Sequence, residues 1–86
     1  MIKGTTESGF EFVVSDTIGD DFEFLELVAE AESNTLLIGR IIERLLGKEQ
    51  KKALMEHLRG EDGIVHTTSM VDAFAEIMKA IPGSKN

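Results

Sequence analysis

Two histidines and a row of glutamates are the residues of this chain with most to offer chemistry. His57 and His66 lie nine apart, on either side of Glu61-Asp62-Gly63. A turn there brings the two imidazoles toward one another, with Glu61 or Asp62 as the nearest further metal ligands. A closed metal site needs four ligands, and this set falls short of that, so both histidines read as ordinary surface or boundary residues. Glu23, Glu26 and Glu30 recur at helical spacing and share one strip of a helix. Carboxylates used for metal or acid–base work are normally joined by His or by acids of a second helix in a dry pocket. A single row of them is the solvated face of an amphipathic helix. The turn around Asp62 lacks the alternating acids of a calcium loop. The chain has no Cys, so neither a thiol nucleophile nor a disulfide is available. It contains no Gly-x-Ser-x-Gly elbow, no Walker loop and no dinucleotide fingerprint. These residues predict no catalytic group, no metal and no cofactor. They predict a non-enzymatic protein that acts by binding.

The elements that position these side chains follow from periodicity. Phe10, Phe12 and Val14 alternate with Glu11, Val13 and Ser15, the period-2 pattern of a strand with one buried face. Ile2 to Thr6 is its expected partner, joined through Glu7-Ser8-Gly9 as a three-residue hairpin loop. A lone hairpin is marginal in water and must pack on helices or on another chain. A first helix is predicted from Asp20 or Asp21, with acids at the positive end of its dipole. It carries two apolar stripes, Phe22/Leu25/Val28/Ala29 and Phe24/Leu27/Ala31. Asn34 caps a second helix over Thr35–Leu46, and Gly47 ends it. All of its apolar residues except Leu36 fall within about 180° of arc, which places this helix centrally. A third helix is predicted from Lys48 to Arg59, with Ala53, Leu54 and Leu58 inward and Gly60 as its stop. The last begins near Thr68 or Ser69, with Ser69 and Asp72 as cap signature, and runs to Ile81. The fold class expected is mainly α: a small four-helix domain with a short N-terminal β-hairpin. It is one domain over 1–86, with the hairpin at 2–14, the helical body at 20–81 and a disordered polar tail at 82–86.

Charge narrows the partners. The net charge is −7, unevenly spread. Residues 1–34 hold nine acids and one base, and residues 35–60 hold six bases and three acids. The two segments can attract each other within a chain or between neighbours. The overall sign argues against nucleic acid and against an anionic membrane, because phosphate binding is driven by Lys and Arg. The second and third helices are basic, but the third offers a DNA groove only Gln50, Lys51, Lys52 and Arg59. The longest apolar-rich stretch, 36–46, is broken by Gly39, Arg40, Glu43 and Arg44 and is too short and charged to span a bilayer. No basic start followed by an apolar run marks a secretory signal.

What remains is apolar surface beyond the needs of four short helices. A domain of this size buries only about 60% of the surface its unfolded chain exposes, and part of that surplus is expected to form a groove or an oligomer seam. The expected partner-binding residues are Phe22, Phe24, Leu37, Ile38, Ile41, Ile42 and Leu45.

The order of segments resembles a known family. Ser8-Gly9-Phe10-Glu11-Phe12 is followed by Asp20-Asp21-Phe22-Glu23-Phe24-Leu25-Glu26-Leu27, then Leu45-Leu46-Gly47-Lys48-Glu49-Gln50, Glu56-His57-Leu58-Arg59, Glu61-Asp62-Gly63 and a final amphipathic helix. This series resembles the small tail assembly chaperones of siphophages and prophages of Gram-positive bacteria, over nearly the whole chain. The resemblance implies a protein of the bacterial host's cytoplasm that binds the tape measure protein, keeps it soluble and helps tail-tube subunits assemble around it. It also implies homo-oligomers, and a longer frameshifted product whose junction falls at Ser84-Lys85-Asn86. A rival reading from composition is a small acidic inhibitor or anti-repressor that mimics nucleic acid with residues 16–32.

Overall fold

A computed structural model describes residues 1–81, so the polar tail expected at 82–86 lies outside the described residues. The elements are strand β1 (Ile2–Thr5), strand β2 (Glu11–Val14), helix α1 (Phe22–Ala31), helix α2 (Ile38–Leu58) and helix α3 (Thr67–Lys79). Short 3-10 turns at Ile18–Asp20 and Thr35–Leu37 lead into α1 and α2.

The strands pair antiparallel with Ile2 opposite Val14 and Gly4 opposite Phe12. The loop is Glu7-Ser8-Gly9, closed by the Gly9 N–H donating to the Thr6 carbonyl at 2.9 Å, with Gly9 at φ 95°. Phe12 and Val14 send their side chains into the core, where they are 3% and 1% exposed. Gly4 is required for this packing. A Cβ there would stand 2.5 Å from the end of the Phe12 ring, which lies across the glycine.

Asp21 starts α1, its side chain accepting from the Phe24 N–H at 3.2 Å. Asn34 does the same for the turn before α2, accepting from the Leu36 N–H at 3.1 Å. Among the described residues the body holds three helices, not four. The residues expected to form a second and a third helix join into one 21-residue element, bent at Gly47. Gly47 has φ 85° and ψ 164°, a conformation only glycine adopts readily. It interrupts the helix but does not end it, since the next arm resumes without a loop. Helix α3 starts at Thr67, earlier than the Ser69 signature implies, and ends at Lys79, short of Ile81. Its N-cap is His66, whose side chain makes no cap bond, while Ser69 lies within the first turn.

The core gathers around the first arm of α2. Ile41 and Ile42 are fully buried, as are Leu54 on the second arm and Ile77 on α3. Phe24 of α1 and the inward hairpin residues complete it. Ala53 faces solvent, contrary to expectation, and Ala73 of α3 is buried.

Candidate interaction surface

The structure divides the seven expected partner-binding residues. Phe24, Ile41, Ile42 and Leu45 are core, at most 4% exposed, and present no surface to a partner. The physical reason is the bend at Gly47 together with the hairpin. The second arm of α2, α1, α3 and the hairpin pack around the apolar arc of the first arm, so less surplus remains than four separate helices would leave. Leu37 and Ile38 are half-buried, and Phe22 is 71% exposed.

The exposed apolar surface lies elsewhere. On α1, Phe24, Leu27, Val28 and Ala31 turn toward the core, while Phe22, Leu25 and Ala29 face solvent. At 100° per residue the solvent-facing three fall within about 60° of one another, opposite the buried set. Val28 thus belongs with the buried stripe, not with Phe22 and Leu25. Leu36, in the turn that follows, is 88% exposed. The sequence carried a signal for it, since Leu36 is the one apolar residue outside the arc of the second helix.

Beside this row runs an open cleft of about 880 Å³ between α1 and the first arm of α2, lined by Glu23, Glu26 and Glu30 together with Arg40, Arg44 and Lys48. The acidic and basic segments therefore meet within one chain. Arg44 grips Asp21 with both ends of its guanidinium, Nε at 2.9 Å and an Nη at 3.1 Å, and the same Nη reaches Glu23 at 3.0 Å. The hydrogen bond from Arg44 is the main reason the Asp21 carboxyl lies below the usual aspartate range, and Asp21 in turn raises the Arg44 guanidinium. A smaller apolar pocket of about 240 Å³ lies among Ile38, Gly39, Met55, Val65 and Met70, with Lys51 among its lining residues. Lys51 is held by Glu43 at 3.4 Å.

The two histidines take separate partners. His57 Nε2 lies 3.1 Å from both the Ser8 hydroxyl and the Ser8 carbonyl, and its ring packs against Phe10. It fastens the hairpin loop to the second arm of α2. His66 Nε2 lies 2.9 Å from Asp62, whose carboxyl is lowered first by the Ile64 N–H and then by His66. Among the described residues no three His, Cys, Asp or Glu side chains converge on a metal-sized site. Among them, too, no helix is long and apolar enough to cross a membrane.

Gln50 has a structural role that its local sequence does not announce. Its side-chain amide accepts from the Val13 N–H at 2.8 Å and donates to the Val13 carbonyl at 2.7 Å and the Leu46 carbonyl at 2.8 Å. One side chain so acts as a third strand along β2 and braces the bend of α2. A Gln three residues after a helix start commonly accepts from the N-cap N–H, whereas Gln50 spends its amide on Val13 and Leu46.

No protein-family model, curated protein or solved structure matches this chain.

Proposed function

We propose that this chain is a tail assembly chaperone that binds a long amphipathic helix of a tape measure protein and holds it soluble while tail-tube subunits assemble. The observation that carries the reading is the exposed row Phe22, Leu25 and Ala29 on α1, with Leu36 beyond it. An apolar row bordered by Glu26 and Glu30 suits an amphipathic helix whose flanks are basic. The order of segments, which resembles that family along nearly the whole chain, supports the same reading. So does the charge pattern, which disfavours nucleic acid and anionic lipid. The site of action under this reading is the cytoplasm of the bacterial host.

The test is co-expression with a tape measure protein, scored by the fraction of it that stays soluble. The unmodified chain should raise that fraction, and Phe22→Ser combined with Leu25→Ser should abolish the gain while leaving the circular dichroism spectrum unchanged. A double variant that protects as well as the original sinks the reading. The nucleic-acid-mimic alternative makes the opposite prediction for salt. Its binding to a basic protein would weaken steeply as salt rises, whereas contact through Phe22 and Leu25 persists.

A further inference from the structure

The two edges of the hairpin are finished differently. Gln50 occupies the outer edge of β2 at Val13. This fixes the parity of the ladder. Val13 turns its N–H and carbonyl away from β1, and the Thr6 N–H donates to the Phe10 carbonyl at 2.9 Å. The hydrogen-bonded pairs are therefore Ile2 with Val14, Gly4 with Phe12 and Thr6 with Phe10, whereas Lys3 with Val13 and Thr5 with Glu11 are the alternate kind. It follows that Lys3 and Thr5 point their N–H and carbonyl groups outward from β1. Both residues are exposed, and among the described residues no hydrogen bond takes up these groups. An open edge of this kind is a template for another strand.

We propose that the open edge of β1 pairs antiparallel with the same edge of a second copy, about a two-fold axis at Gly4. The product is a four-stranded sheet in the order β2, β1, β1, β2. In this register Lys3 lies opposite the second copy's Thr5, and Thr5 opposite its Lys3, which closes all four outward donors and acceptors. Gly4 meets Gly4 at the axis, where the strands approach most closely and neither residue has a side chain of its own, while the Phe12 rings cover their inner faces. The neighbouring registers fail. An axis at Lys3 sets two ammonium groups opposite each other, which is unfavourable. An axis at Thr5 requires the backbone N–H of Glu7, which already donates to Glu76 Oε1 at 2.6 Å.

Charge favours a second copy as the occupant. Paired residues share a face, and Thr5 pairs with Glu11 inside each hairpin. Lys3, the second copy's Thr5 and its Glu11 then form a row on the outer face. Two strand spacings separate the ends, about 10 Å between Cα atoms, which a lysine and a glutamate span over the small threonine. Neither Lys3 nor Glu11 has an ion-pair partner among the described residues. The symmetry supplies two such pairs per dimer. It also answers the weakness of an isolated two-stranded sheet. None of this depends on the chaperone reading.

Because the chain lacks Cys, a disulfide test is clean. Lys3→Cys mixed with Thr5→Cys should give a covalent dimer on mild oxidation, since directly opposed residues of this kind sit about 5.5 Å apart at Cα. Neither variant alone should do so. In sedimentation velocity the unmodified chain should dimerise with rising concentration. Thr5→Pro removes an outward N–H but no bond of the hairpin itself, so it should abolish the dimer while leaving the melting temperature unchanged at dilutions where both chains are monomeric. Glu11→Lys should weaken the dimer roughly tenfold, and adding Lys3→Glu should restore it. A chain monomeric at all concentrations overturns the proposal and means that Lys3 and the shortness of β1 blunt the edge. Cross-linking of Lys3→Cys with itself overturns the register.

Discussion

At the scale of single residues, Gly47 and Asp21 have consequences that burial alone would not reveal. Gly47 is exposed, and a Cβ added there would meet nothing within 4 Å. The obstacle to substitution is its backbone conformation, which costs a non-glycine residue of order 1–3 kcal/mol. Gly47→Ala should therefore lower the unfolding free energy by about that amount, read from the urea midpoint, although a mid-helix Gly→Ala change ordinarily stabilises. The Asp21 carboxyl is lowered in the folded chain, so its contribution to stability is complete above the ordinary aspartate range. It is lost as pH falls from that range through the lower folded value. Replacing Arg44 with Met removes the first cause of the lowering. The Asp21 side-chain carbon resonance should then titrate at higher pH than in the unmodified chain, while the Phe24 N–H bond keeps part of the effect. An unchanged midpoint would mean the guanidinium clasp does not form in solution.

Among the elements, the hairpin shows how far sequence reaches. Alternation from Phe10 to Val14 and the Glu7-Ser8-Gly9 loop were legible because a strand with one buried face writes its period into the residues. What the period does not encode is the attachment. The hairpin is fastened by Gln50 at Val13, His57 at Ser8 and Glu76 at the Glu7 N–H, contacts spanning 37, 49 and 69 residues. Polar side chains that reach across such distances leave no local signature. The helix count failed for a related reason. A glycine after an apolar helix commonly marks a stop, but whether the chain leaves or resumes depends on what the second arm can bury. Leu54, fully buried, gives that arm its anchor. Gln50→Met keeps the length of the side chain and deletes its bonds to Val13 and Leu46. It should cost about 1–3 kcal/mol, the usual consequence of leaving part-buried backbone groups unpaired. Hydrogen exchange at the Val13 amide should accelerate by more than global destabilisation explains.

For the molecule as a whole, the same apolar inventory has to serve both stability and recognition, and the fold decides which residue does which. From the sequence, the first arm of α2 carried most of the candidate partner residues because it is the most hydrophobic stretch. In the fold, hydrophobicity of that density is what the core consumes first. Ile41, Ile42 and Leu45 hold the body together, and the accessible apolar residues are the ones a central helix rejects or a second stripe presents, Leu36 on one hand and Phe22 with Leu25 on the other. A chain of this length has only about 4–13 kcal/mol of net stability. Ile41→Ala, at a fully buried position, should cost about 2–5 kcal/mol. That removes a large share of the total, and any accompanying loss of partner binding would follow the unfolded fraction. Leu25→Ala and Phe22→Ala should each change stability by no more than about 0.5 kcal/mol, as expected for exposed sites, yet reduce partner binding. Thermal unfolding and binding measured on the same three variants separate the two roles. If Phe22→Ala and Leu25→Ala leave binding intact while Ile41→Ala loses binding beyond its unfolded fraction, the surface on α1 is not the recognition surface.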